Sequence, residues 1–186
     1  MNDDTARDLV LEAADQLYYA RGIQAVGMDE LRAHAGVSLK KVYSLFPSKE
    51  AIVEQMLGRR NAQWTHGIVA TAEQHDDPRA KLLSIFDFLA WQFAAGDFRG
   101  CAFINSFGEL GASAPAVAEA ARAHKAQFQE YVAALVDEAG APPILAFQLV
   151  LLAEGAQTTA AILENPDVAA QARAAAAVLI DSALAR

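Results

Sequence analysis

Only one cysteine, Cys101, occurs in the chain, so no internal disulfide can form and a thiolate metal centre is excluded. The four histidines, His34, His66, His75 and His124, show no spacing such as His-Glu-x-x-His that would set two imidazoles on one helix face, and no metal site is expected. Proline and glycine are few, 6 and 11 residues, and none falls in a glycine-rich phosphate loop or a nucleophile elbow. Strict apolar-polar alternation is missing, which argues against strands. The longest apolar stretch, residues 144–153, is broken by Gln148 and followed by Glu154, Gly155 and Gln157, short of the ~20 residues a bilayer crossing requires. The polar, acidic start lacks the basic and apolar run of a secretory signal. These absences point to a cytoplasmic protein without cofactor, metal or membrane contact.

What is present is a foldable chain: hydrophobic residues make up 54% and charged residues 20% of 186, enough for a packed core throughout. The net charge of -8 at first opposes a polyanionic partner. Its distribution reverses that. Residues 1–60 carry eight basic against nine acidic side chains, residues 61–186 seven against fourteen, and between Leu31 and Lys49 stand Arg32, Lys40, Lys41 and Lys49 with no acid among them.

Helix punctuation is legible along the whole chain. Thr5 is placed to cap a helix over about residues 5–20, closed by Gly22 in the left-handed position that glycine takes cheaply, and Gly27 with Glu30 opens a second of about two turns. Ser38 opens a third, Leu39 to Leu45, which must end before Pro47, and Ser48 caps a long helix from Lys49 to about Thr71. Asp77-Pro78 starts a fifth. Further starts fall near Phe103, after the 111–115 break, after Pro142-Pro143 and at Asn165-Pro166-Asp167, giving an all-α fold of about nine helices.

Residues 28–46 hold two short helices joined by Ala35-Gly36-Val37-Ser38, with glycine at the bend and a capping serine after it, the arrangement of a helix-turn-helix. Such a second helix, braced by the first, projects side chains from its N-terminal half into a major groove. Leu39, Lys40 and Lys41 occupy that end, while Val42 and Phe46 read as the buried side. His34 reads as a surface residue.

The run from Gly22 to Val53, with Ala35-Gly-Val-Ser38, Val42-Tyr43 and Phe46-Pro-Ser-Lys-Glu50 at these offsets, resembles the TetR family of regulators over residues 5–55. Residues 99–105 and 121–125 are similar to motifs of one subgroup's regulatory domain. The resemblance implies a three-helix DNA-binding domain over 1–48 and a regulatory, ligand-binding and dimerisation domain over 49–186. Carried over by position, Ser38, Tyr43 and Lys49 would hold phosphates, Leu39, Lys40, Lys41 and Ser44 would face bases or nearby backbone, and Gly27 would offer its backbone N–H. Departures are visible. Val26 and Gly27 stand where many members have hydroxyls, Lys40 where glycine is common and Leu45 where histidine is common, so no relative's operator transfers.

The larger part holds most of the aromatics. Aromatic residues spread over several helices commonly serve only as core, but the resemblance implies an effector cavity there, with Trp91, Phe107 and Phe128 as walls and Asn105, Gln148 and Gln157 as polar groups. The last two helices, Pro143 to Leu163 and Asp167 to Leu184, are rich in small residues, and family members dimerise through such a pair. The expected function is a DNA-binding regulator, a repressor released from an inverted-repeat operator by a small-molecule effector. The alternatives are a constitutive DNA binder without ligand and a helical enzyme, for which Cys101 with His124 is the one imaginable nucleophile and base.

Overall fold

The computed structural model describes residues 1–185. The described residues form nine helices and no strand: α1 (Asp3–Arg21), α2 (Met28–His34), α3 (Leu39–Leu45), α4 (Lys49–Ala72), α5 (Pro78–Phe93), α6 (Ala102–Leu110), α7 (Pro115–Glu138), α8 (Ile144–Leu163) and α9 (Val168–Leu184). The capping chemistry explains most boundaries. Ser38 Oγ accepts the Lys41 N–H at 3.2 Å, Ser48 Oγ the Ala51 N–H at 3.2 Å, and the Asp77 carboxylate the Ala80 N–H at 2.8 Å beside Pro78.

Two readings at the first helix need correction. Its cap is Asn2, whose Oδ1 accepts the Thr5 N–H at 2.7 Å, so the helix starts earlier and Thr5 is the capped residue rather than the cap. Gly22 has the positive φ expected of it, +90°, but its ψ of 149° is extended rather than left-handed helical. The chain therefore leaves α1 in a conformation that essentially only glycine adopts.

Contacts divide the chain into two compact units. The first comprises residues 1–62 and 102–123, the second residues 63–101 and the remainder from 124. In the first, α1, α2 and α3 close around Val10, Leu11, Tyr18, Leu31, Val42 and Phe46, with Ile52, Val53 and Leu57 of α4 in the same buried set. Burial of each large apolar side chain stabilises by ~1.5–3 kcal/mol, so the short helices α2 and α3 owe their existence to this core and not to their own propensity. The inclusion of α6 in this unit is invisible to any linear division of the sequence.

In the second unit α5, α8 and α9 pack together. Buried alanines at 146, 153, 156 and 160 of α8 and at 169, 172 and 176 of α9 permit the close approach. Ion pairs Arg79–Asp181, Arg173–Asp87 and Lys81–Glu138 tie the helix surfaces. Contrary to the expectation from residues 144–153 alone, α8 as a whole is long and apolar enough to cross a membrane by length and composition. Its Leu145, Leu149 and Ala153 face are buried against the unit's own core.

Candidate nucleic-acid interface

The turn before α3 is built from two backbone decisions. Gly36 sits at φ +68°, the left-handed bend that lets α2 stop, and Ser38 in extended geometry then restarts a helix with its own side chain as cap. Val37, nearly buried, anchors the turn, its N–H donating to Arg32 O at 3.0 Å. On the seven residues of α3 the faces separate cleanly. Val42 and Leu45, with Phe46 following, are buried, whereas Lys40, Tyr43 and Ser44 are exposed and Leu39 is half-buried. Tyr43 leaves about half its surface open, 49%.

The electrostatics are partly self-quenched. Lys41 pairs with Asp3 at 2.5 Å, and that hydrogen bond and charge hold the Asp3 carboxyl below its ordinary range. Arg32 reaches Asp29 at 3.3 Å, and Arg21 pairs with Glu30. Lys40 makes no ion pair among the described residues. Exposed pairs of this kind are worth ~0–1 kcal/mol, so a phosphate can recruit Lys41 from Asp3 at small cost. Ser44 donates its hydroxyl to Lys41 O at 2.7 Å, and His34 lies at the surface against Gln16 Oε1 at 2.9 Å.

Lys49 is placed differently from a simple surface lysine. Its ammonium donates to Ile23 O at 2.5 Å and Val26 O at 2.6 Å and lies 5.4 Å from the centre of the Tyr18 ring. Burial, opposed by Glu109 and Glu50, lowers its pKa. The side chain therefore braces the turn between α1 and α2. The Tyr18 hydroxyl in this region is buried without a hydrogen-bond partner among the described residues, and burial raises its pKa above the ordinary phenol value. Gly27 caps α2 in ordinary extended geometry, is exposed, and a Cβ added there would meet nothing within 4 Å. Val26 is fully buried, which accounts for a side chain without a hydroxyl at that position.

Sequence reasoning missed Glu109. Its carboxylate accepts the N–H of Ile23 at 2.9 Å and of Gln24 at 2.8 Å, across 86 and 85 residues of chain, and no local pattern announces it.

The residues expected around an effector are distributed over both units. Asn105 and Phe107 belong to the first, where Asn105 lines a small open cleft with Tyr18, Arg60, Ser106 and Glu109. Phe107 is 47% exposed. In the second unit Phe128 and Gln157 are buried, but Trp91 is 71% exposed and Gln148 is exposed too, so neither walls an enclosed cavity. Phe128 instead packs on residues that sequence reasoning passed over. Trp64 lies edge-on to Phe128 at 5.0 Å, to His124 at 4.9 Å and to Phe88 at 5.7 Å, and Phe88 in turn stacks on Trp91 at 6.0 Å. Burial, and secondarily the charge of Lys125, depress the His124 pKa to about 3, so the ring is neutral inside this aromatic cluster. Spacing along separate helices gives no sign that Trp64, Phe88, His124 and Phe128 meet.

With that geometry in view, the comparisons with known proteins are specific. Residues 10–56 match the family described as bacterial regulatory proteins, tetR family. Over 90 residues, 46% of this chain and 41% of the other, the sequence is 32% identical to the HTH-type transcriptional activator FasR of Mycolicibacterium smegmatis. The chain thus spans less than half the length of that regulator. A solved TetR-type transcriptional regulator from Streptomyces avermitilis is 31% identical, with 96% of this chain and 97% of that one covered and a TM-score of 0.82. A TetR-family regulator from Streptomyces coelicolor shares the fold at a TM-score of 0.91, with 24% identity over 97% and 90% of the two chains. Such proteins are DNA-binding regulators of transcription and not enzymes. The chain belongs to the TetR family of transcriptional regulators.

Proposed function

We propose that this regulator is a repressor released from an inverted-repeat operator by a small-molecule effector. The observation that carries DNA recognition is the segregated surface of α3, where Lys40, Tyr43 and Ser44 stand exposed on a helix whose other face is locked into the core. Residues 1–48 act as the DNA-binding part and residues 49–186 as the regulatory and dimerisation part. Leu39, Lys40, Lys41 and Ser44 face bases or adjacent backbone. Ser38, Tyr43, the Gly27 N–H and the remaining donor of Lys49 hold phosphates. The setting is the cytoplasm, where the DNA is.

Dimerisation through α8 and α9 is supported by a stripe left open in the single chain. Ile144, Phe147, Leu151 and Ile162 of α8 are 59–75% exposed, and Val178 of α9 is 69% exposed. Gln148 lies on the α8 stripe, at i+4 from Ile144, which favours a place at this seam over a place in an effector site. An effector enters the second unit by opening the packing around Trp64, Phe128 and Gln157, with Trp91 reporting at its edge. Asn105, on the α6 cleft of the first unit, and Phe107 remain the candidates for ligand contact in that unit.

A second reading, activation, is favoured by the similarity to FasR, a transcriptional activator. Reporter expression from a promoter carrying the selected site decides between them.

The direct test selects bound duplexes from a random pool and measures affinity against salt. An inverted repeat should emerge. Tyr43→Ala should weaken all sequences alike, and Lys40→Ala should lower the salt slope by ~1 and alter sequence preference if Lys40 touches a base. Recovery of no preferred sequence, or unchanged affinity in both variants, would sink this assignment.

A further inference from the structure

We infer that Glu109 is a positioning residue for DNA recognition, acting from α6 through the turn at residues 22–27; the inference rests on the DNA-binding reading above. Three bonds converge from one residue. The two carboxylate oxygens accept the Ile23 and Gln24 N–H groups at 2.9 and 2.8 Å, and the Glu109 backbone carbonyl accepts Gln24 Nε2 at 2.9 Å. The carbonyls of the same turn are held from another helix, Ile23 O and Val26 O both accepting from Lys49 Nζ. A turn that would otherwise leave its polar backbone to water is thus gripped on its donors by α6 and on its acceptors by α4.

Gly22 gives an independent sign of the fit. At φ +90° only glycine is comfortable, and a Cβ there would lie 3.2 Å from Glu109 Oε1, so the carboxylate fills the space a side chain would occupy. The turn ends at Gly27, the cap of α2, and α2 braces α3 through the fully buried Leu31. Loosening the grip widens the range of angles at which α3 is presented. Base contacts need one such angle, whereas phosphate contacts tolerate many.

A carboxylate is the side chain this geometry requires, because two adjacent N–H donors need two acceptors. Glutamine keeps the shape but turns an NH₂ towards one donor. The protein's affinity for its selected duplex is scaled by the fraction of molecules holding the competent angle.

The test uses the full-length protein with Glu109→Gln and Glu109→Ala, reading amide hydrogen exchange together with affinity for the wild-type-selected duplex and for a random duplex. Exchange at Ile23 and Gln24 should quicken in the order wild type, Gln, Ala. Affinity for the selected duplex should fall ~10-fold in the alanine variant, about the loss of one charge-assisted hydrogen bond, with the glutamine variant between. Random-duplex affinity should hold or rise, since each variant removes a negative charge from a protein that meets a polyanion. General unfolding would lower both affinities together, and the isosteric glutamine variant keeps the test usable if alanine disrupts folding. Unchanged exchange, wild-type affinity for the selected duplex, or equal losses on both duplexes would each overturn the proposal. If the wild-type protein selects no sequence at all, the DNA-recognition reading fails separately, and the exchange data still judge the grip on the turn.

Discussion

At the scale of single residues, His124 shows how burial changes a side chain's chemistry. It is 4% exposed, edge-on to Trp64 and next to Lys125, and its pKa is depressed to about 3. In the unfolded chain the ring takes up a proton below pH ~6.5, so between about 6.5 and 3 the unfolded state binds the extra proton and stability falls as pH falls. The expected slope from this group is on the order of 1 kcal/mol per pH unit. Denaturant titrations of wild type and His124→Gln between about pH 6 and 4 should therefore differ in slope, with the variant flatter whatever its absolute stability. Identical slopes would place the acid sensitivity in other groups. The sequence marked His124 as part of the 121–125 motif and as a partner for Cys101 in the enzyme alternative. Its ring environment depends on Trp64, 60 positions away, which no local pattern reports.

Among the elements, α4 carries two glycines with opposite surroundings. A Cβ at Gly67 would lie 2.7 Å from Phe88 Cε2, whereas one at Gly58 would meet nothing within 4 Å. Alanine gains about 1 kcal/mol over glycine from helix propensity alone, so Gly58→Ala should raise stability by up to ~1 kcal/mol. At Gly67 that gain is opposed by overpacking of ~1–3 kcal/mol, because Phe88 is buried and held by Trp64. Gly67→Ala should therefore lower the melting temperature while Gly58→Ala raises it; a rise in both would mean that Phe88 yields at no cost. The helices themselves were largely legible beforehand. Ser38, Ser48 and Asp77 announce their helix starts by side-chain capping, a local interaction that reads directly from sequence. The miss at Asn2 is of the same kind, since Asn2 and Thr5 are both competent caps and only the chain path chooses between them.

For the molecule as a whole, the open stripe on α8 and α9 sets the expected assembly. An exposed row of Phe147, Leu151 and Ile162 is a poor monomer surface, and a two-fold copy of it would bury large side chains near ones as small as Gly155. If the proposed dimer forms through this stripe, Leu151→Glu should give a monomer in analytical ultracentrifugation with little change in helix content, and weaken binding to a paired site far more than to a single half-site. A variant that stays dimeric would move the interface elsewhere. Net charge acts at this scale as well. The protein carries -8 overall, so on the reading proposed above attraction to DNA must be local, with exposed Lys40 and a Lys41 recruited from Asp3 as its source.

The sequence by itself determined the helical class, most helix limits and the helix-turn-helix. Periodicity, caps and the glycine bend at 36 are interactions within a few residues, so their signals are read without knowing the tertiary partners, although the core is what makes α2 and α3 stable. It also marked Ser38, Lys40 and Tyr43, because their neighbours Val42 and Phe46 already specify which face is buried. Only the tertiary structure decided that Lys49 is turned onto the Ile23 and Val26 carbonyls, that Glu109 grips the same turn, that Trp91 is exposed and that Trp64 joins Phe128. Those contacts join residues 23 to 86 positions apart. Their partners are chosen by how whole helices pack, and the period of a single helix carries no record of which side chain the next helix will bring against it.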